Sequence, residues 1–235
     1  MVSETVRMRT SLLVIAVLCF CLVGCNKSVE EIVAKDGPPV MAMIKRVKAL
    51  EPRVKATPRY GAAAVSPVKD LMVMRSMGGN ALVIHERDLS NPEGFVYAPE
   101  RPDFPDEAFS CIGDAQRKGT HDSGVAPWTI EKNLQTCAAI KYVLVMRTHQ
   151  RRMAKMIAGE SFMGGRVDGD VVAFTPAGHS LGGFAWHAES SDMIPVKMGA
   201  TKDDMQYALD HHMREKVEDA IRKEITRNFG DKAAW

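Results

Sequence analysis

Residues 162–187, FMGGRVDGDVVAFTPAGHSLGGFAWH, carry the main signal for the fold class of this chain. Three short apolar runs alternate there with glycine, proline and aspartate, a pattern typical of antiparallel β-strands joined by tight turns. Asp168-Gly169 has the composition of a two-residue hairpin turn. The pattern therefore predicts turns at Asp168-Gly169 and at Pro176 to Ser180, between strands over 162–167, 170–175 and 181–187.

Outside this stretch, the periodicity of apolar residues predicts two more strands and two helices. Short apolar runs predict strands at 81–85 and 142–148. Residues 129–140 place Ile130, Leu134 and Cys137 on one helical face. A long helix is predicted over 202–229, with Thr201 and Asp204 as a capping box and Gly230 as the C-cap. We expect an α+β fold in which a small antiparallel β-meander packs against the helix near 129–140 and the long C-terminal helix.

The N-terminal residues have the pattern of an export signal. Arg7 and Arg9 precede an uncharged apolar run, 11–20, which is shorter than the roughly 20 residues that span a bilayer. The run leads to Leu22-Val23-Gly24-Cys25, which resembles the lipobox of bacterial lipoproteins. The resemblance implies a signal peptide over 1–24, cleavage before Cys25, and acylation of Cys25 with fatty chains such as palmitate. Asn26, by the same resemblance, favours the outer membrane over the inner membrane.

The prolines and the charges divide the rest of the chain. Residues 25–70 are predicted to be a lipidated N-terminus and a proline-rich, basic tether, in which apolar residues between Val40 and Leu50 allow a short amphipathic helix. Residues 71–235 are predicted to form the α+β domain. Within it, 88–107 is a long acidic loop rich in proline, and loops of this length are usually either functional or disordered.

Composition limits the classes of function. The chain has 235 residues and a formal net charge of +2, which argues against nucleic-acid binding by bulk charge. Its hydrophobic fraction of 46% is ordinary for a globular protein. After removal of Cys19 and Cys21 with the signal and acylation of Cys25, only Cys111 and Cys137 remain. In an exported protein these two cysteines either form a disulfide or stay as buried thiols.

Residues 178–183, GHSLGG, resemble the nucleophile elbow of lipases and other α/β-hydrolases. The resemblance implies that Ser180 is a nucleophile, with Asp203 or Asp204 as the acid and His211 or His212 as the base. On the two sides of this GHSLGG segment, the sequence does not fit an elbow. Pro176 interrupts the preceding strand, and residues 181–187 have the pattern of a strand where an elbow needs a helix. The same residues are therefore also interpreted as a hairpin turn.

These observations favour a membrane-anchored envelope lipoprotein whose domain is a non-enzymatic binding or scaffolding module. Its expected partners are membrane lipid, through acylated Cys25, and another envelope protein. No catalytic residue, cofactor or metal is expected, although His211 and Glu215 share a helix face. We expect the protein in the cell envelope, at the outer membrane and facing the periplasm if the cell is Gram-negative. The alternative is a lipid-anchored serine esterase that uses Ser180, His211 and Asp203.

Overall fold

The computed structural model describes residues 27–68, 70–73, 78–89, 107–117, 125–158, 161–190 and 201–230, together with Ala233. The expected signal peptide, Cys25 and the acidic segment 90–106 lie outside the described residues. The helices are α1 (Val29–Lys48), α2 (Glu51–Ala56), α3 (Glu86–Leu89), α4 (Glu107–Ala115), α5 (Pro127–Ala138) and α6 (Lys202–Phe229). The strands are β1 (Ala64–Val65), β2 (Ala81–His85), β3 (Tyr142–Arg152), β4 (Lys155–Ala158), β5 (Ser161–Met163), β6 (Arg166–Phe174) and β7 (Ser180–Glu189).

Five of the strands form one sheet in the order β1-β7-β6-β3-β2, and β4 and β5 form a separate hairpin. Strands β3, β6 and β7 pair antiparallel, as the meander prediction requires, and β1 is antiparallel to β7. Strand β2 runs parallel to β3, so the sheet is mixed. A parallel pair needs a long crossover, which here contains α3, α4 and α5. The α+β class with a long C-terminal helix is confirmed.

One of the two predicted turns is wrong. Asp168 and Gly169 lie inside the continuous strand β6, where they pair with His187 and Trp186 of β7 on one side. They pair with Gln150 and Thr148 of β3 on the other side. Backbone pairing on both sides keeps Asp168-Gly169 extended despite its turn propensity. The second predicted turn is confirmed, because Gly178 has φ +90° and its N–H donates to the Thr175 carbonyl between β6 and β7.

The interpretation of residues 25–70 as a tether is wrong for residues 29–56. Helix α1 begins at a Ser28–Glu31 capping box and continues through Pro38 and Pro39. Its apolar face is buried in the same core as the sheet, at Val29, Ile32, Val40, Met43, Ile44 and Val47. Burial on both sides of the prolines offsets the hydrogen bonds that they remove. The folded domain therefore begins near Ser28 rather than near residue 71.

Helices cover both faces of the sheet. One face presents Val143, Val145 and Val172 to α1, α4 and α5. The opposite face presents Leu144 and Val171, with residues of β7, to α6. Because neighbouring residues of a strand point to opposite faces, burial on both faces requires unbroken apolar runs in β3 and β6. Among the described residues, no helix has both the length and the apolar character that crossing a bilayer requires.

Helices α4 and α5 are joined by a disulfide between Cys111 and Cys137, whose Cα atoms lie 5.8 Å apart. Both cysteines are fully buried in the core beneath α1. Beside them, Asn133 Nδ2 donates a hydrogen bond of 2.6 Å to the largely buried carboxylate of Asp114. The disulfide therefore joins two helices that lie on the same face of the sheet.

Replacing both Cys111 and Cys137 by alanine should lower the free energy of unfolding by about 2–4 kcal/mol, because the denatured chain regains the entropy of an open loop. Urea denaturation of the purified protein, with and without reductant, measures this loss. Reductant should destabilise the wild type and leave the double variant unchanged. Equal sensitivity of the two proteins to reductant would contradict the prediction.

Candidate functional site

A buried ion pair joins two central strands of the sheet. Asp170 of β6 is fully buried and lies directly opposite Arg147 of β3 in the strand register. Arg147 Nε donates to Asp170 Oδ1 at 2.8 Å, and Arg147 Nη2 donates to Asp170 Oδ2 at 2.5 Å. This two-point contact matches the planar guanidinium to the planar carboxylate.

The rest of the guanidinium holds the chain that leaves α2. Arg147 donates to three backbone carbonyls, those of Val54 at 3.0 Å, Thr57 at 2.7 Å and Pro58 at 2.9 Å. With the two bonds to Asp170, all five N–H groups of the guanidinium are used. The Tyr60 N–H donates to Asp170 Oδ2 at 2.9 Å. The pair thus fastens residues 54–60 across the sheet and positions Tyr60.

Next to this pair lies a cleft of about 410 Å³. Its lining comes from the segment after α2, from strands β3, β6 and β7, and from the C-terminal half of α6. The lining residues are Tyr60, His149, Asp168, Gly169, Ala185, Trp186, His187, Ala220, Lys223 and Glu224. Two histidines, two carboxylates and a lysine supply polar groups to the cleft, and two aromatic rings contribute to its larger apolar surface.

Asp168 and His187 form a polar pair on this wall. They are cross-strand neighbours, and His187 Nδ1 lies 2.5 Å from Asp168 Oδ1. Arg166 Nε donates to Asp168 Oδ2 at 3.0 Å. The hydrogen bond from Arg166 and, to a smaller extent, the contact with His187 hold the pKa of Asp168 below its usual value. The carboxylate is therefore anionic at neutral pH.

Two further residues of the cleft carry buried ring nitrogens that make no aligned hydrogen bond among the described residues. One atom is His149 Nε2, which lies 3.0 Å from Asp170 Oδ1 but outside hydrogen-bonding alignment. The other is the indole nitrogen of Trp186. A buried polar group without a partner costs about 1–3 kcal/mol, so a ligand oxygen or a water that bonds the Trp186 indole nitrogen would recover that cost.

Gly169 allows the indole of Trp186 to lie where it does. A Cβ at position 169 would collide with the Trp186 ring and with the carbonyl of Arg147. Gly169, which was predicted to lie in a turn, instead lets the Trp186 ring of β7 and the Arg147 carbonyl of β3 pack directly against β6. Only a residue without a side chain fits there.

The sequence patterns did not predict this cleft. His149 and His187 were visible only as two of seven histidines, and Asp168 was assigned to a turn. The one signal available was Asp170, a carboxylate next to the apolar run Val171 to Phe174. A buried charge in a strand needs a partner, but the sequence does not indicate that the partner is Arg147.

The structure does not bring the residues of the esterase alternative together. Ser180 is the exposed first residue of β7, and Phe174 faces it across an antiparallel hairpin. Met213, two residues after His211 on α6, lies near Gly165 at the opposite end of β7, since a Cβ at Gly165 would come within 3.0 Å of the Met213 sulfur. Strand β7 has ten residues and is about 30 Å long, so Ser180 and the part of α6 near His211 lie at opposite ends of it. Asp203 lies still further towards the start of α6.

The other predicted site residues have separate positions. His211 Nδ1 lies 3.6 Å from Glu215 Oε1 on the surface of α6, and His212 Nδ1 lies 3.9 Å from Glu215 Oε2. Burial lowers the pKa of His212. Within the part of the chain that the structure describes, no three or more His, Cys, Asp or Glu side chains are grouped as metal ligands. Cys25 lies outside that part.

No family model matches this chain, and no curated protein or solved structure matches it.

Replacing Arg147 by methionine should lower the free energy of unfolding by about 3–5 kcal/mol, because Asp170 would remain buried without its cation. The matched control is Arg166→Met, which removes an arginine from an exposed pair with a neighbouring aspartate of β6. Urea denaturation of both variants should show a large loss for the first and a value close to wild type for the second. Similar losses in both would contradict this account of the buried pair.

A fluorophosphonate probe should label neither the wild type nor Ser180→Ala, because the Ser180 hydroxyl accepts a hydrogen bond from the Gly182 N–H and the ring of the adjacent His179 contacts the Thr175 hydroxyl. Gel fluorescence of the treated, purified protein measures the labelling. Labelling of the wild type that disappears in Ser180→Ala would establish a serine hydrolase.

Proposed function

We propose that this chain is a lipid-anchored protein of a bacterial cell envelope, and that its α+β domain is a binding module rather than an enzyme. The observation that carries the proposal is the N-terminal sequence, in which a basic start and an apolar run lead to Leu22-Val23-Gly24-Cys25. Acylation at Cys25 with more than one chain gives durable attachment, whereas a single chain binds a membrane only marginally.

The disulfide supports export. Stable disulfides form in oxidising compartments such as the periplasm and are rare in the bacterial cytosol. The bond between Cys111 and Cys137 is buried in the core, as expected of a structural disulfide. Because Cys111 and Cys137 pair with each other, neither is available to pair with Cys25. The Cys25 thiol can therefore be acylated.

The position of α1 supports a domain held close to the membrane. Helix α1 begins at Val29, four positions after Cys25. Four extended residues reach at most about 14 Å. The domain would therefore stay at the surface of the bilayer, and in an outer membrane of the kind that Asn26 favours it would face the periplasm.

The cleft supports the binding role. Cavities of several hundred Å³ with a few polar groups and aromatic walls are typical of sites for small ligands or short chain segments. The buried nitrogens of His149 and Trp186 could each meet an oxygen of a ligand, while Asp168 and Glu224 could accept hydrogen bonds from hydroxyl or amine groups. A polar component of the envelope, with both donors and acceptors, has the chemistry that this cleft would recognise.

Metabolic labelling with a palmitate analogue in a bacterial host tests the anchor. We expect label on the wild type and on Cys21→Ser, a matched control within the signal peptide, but no label on Cys25→Ser. Mass spectrometry of the mature protein should show an acylated N-terminal cysteine. A wild type without label, or a Cys25→Ser protein that keeps it, would refute the proposal.

A further inference from the structure

The start of α1 is attached to the start of α5. The ammonium of Lys27 forms an ion pair with Glu131 of α5, and this contact lowers the pKa of Glu131. Lys27 is only two residues from Cys25, a span of at most about 7 Å. A lipid on Cys25 would therefore be attached two residues from the Lys27–Glu131 ion pair.

Those first turns of α5 present an exposed aromatic residue. Trp128 is 62% exposed, and Val125, just before the helix, is 39% exposed. Trp128 lies three residues before Glu131, and residues with this spacing are neighbours on a helix surface. The indole of Trp128 and the Lys27–Glu131 ion pair thus occupy neighbouring positions on the surface of α5.

Tryptophan in this position has the chemistry of a membrane interface. Its ring combines an apolar body with a polar N–H, and such rings concentrate at the level of lipid headgroups. A single exposed apolar side chain needs no explanation by itself. Here the distinguishing observation is the ion pair of Lys27 with Glu131, because Lys27 follows Cys25 by two residues and a lipid on Cys25 would bring the bilayer to this surface.

We propose that Trp128, supported by Val125, inserts into the headgroup region of the bilayer that holds the lipid on Cys25, so that the start of α5 is the membrane-facing surface of the domain. This inference rests on the proposed function. The start of α1 and the start of α5 carry charges of both signs, among them Lys27, Lys132, Glu30, Glu31 and Glu131. Insertion should therefore depend on the indole and not on anionic lipid.

Tryptophan fluorescence of the lipidated, full-length protein tests the inference. The protein is reconstituted into zwitterionic phosphatidylcholine vesicles with brominated or unbrominated acyl chains, after mass spectrometry has established its acylation. Bromolipid should quench part of the wild-type emission, and Trp128→Phe should lose most of that quenching. Trp186→Phe, which replaces a buried tryptophan on the face of the sheet opposite α5, is the control and should retain it. Added salt should leave the result unchanged.

The possible outcomes separate the two proposals. Acylated protein with the same quenching in wild type and Trp128→Phe would overturn the docking inference alone, and would leave Trp128 available to a protein partner or to a second copy. Protein without lipid on Cys25 would overturn the proposed function and the inference with it. Quenching that is lost only in Trp128→Phe supports both. Circular dichroism of each variant verifies that the substitution leaves the fold intact.

Discussion

The fold depends on the buried pair of Arg147 and Asp170. Each charge would be costly in the interior without the other, and the arginine is satisfied only because three carbonyls from residues 54–58 also reach it. Strand β3, strand β6 and the chain after α2 are therefore held at one point. The cleft lies beside this point, so the same interaction that orders the N-terminal segment on the sheet also positions Tyr60 in the cleft wall.

The N-terminal helix links this core to the proposed anchor. Because α1 belongs to the core rather than to a flexible spacer, a lipid on Cys25 would limit both the distance and the orientation of the domain relative to a bilayer. A long tether would leave the orientation free. The short connection makes the side chains near Lys27 and Glu131 relevant to membrane contact, and it distinguishes this surface from other exposed apolar residues such as Ile157 on β4.

Local signals were sufficient where neighbours in sequence determine the structure. The capping box of Thr201 and Asp204, the apolar stripe of α6 and the glycine at 230 predicted that helix with its observed bounds. Proline and Asp-Gly were misleading in two places, at Pro38-Pro39 in α1 and at Asp168-Gly169 in β6. Both have strong local preferences, and in both cases burial and pairing with distant residues outweighed those preferences.

The sequence by itself determined the helices with clear periodicity, the antiparallel hairpin before Ser180, the α+β class and the expectation of an acylated Cys25. These depend on residues close together in the chain. Only the tertiary structure decided the partner of Asp170, the parallel position of β2 and the grouping of Tyr60, His149, Asp168 and His187 around one cleft. Those contacts join residues up to more than a hundred positions apart, and no local pattern specifies which distant residues will meet.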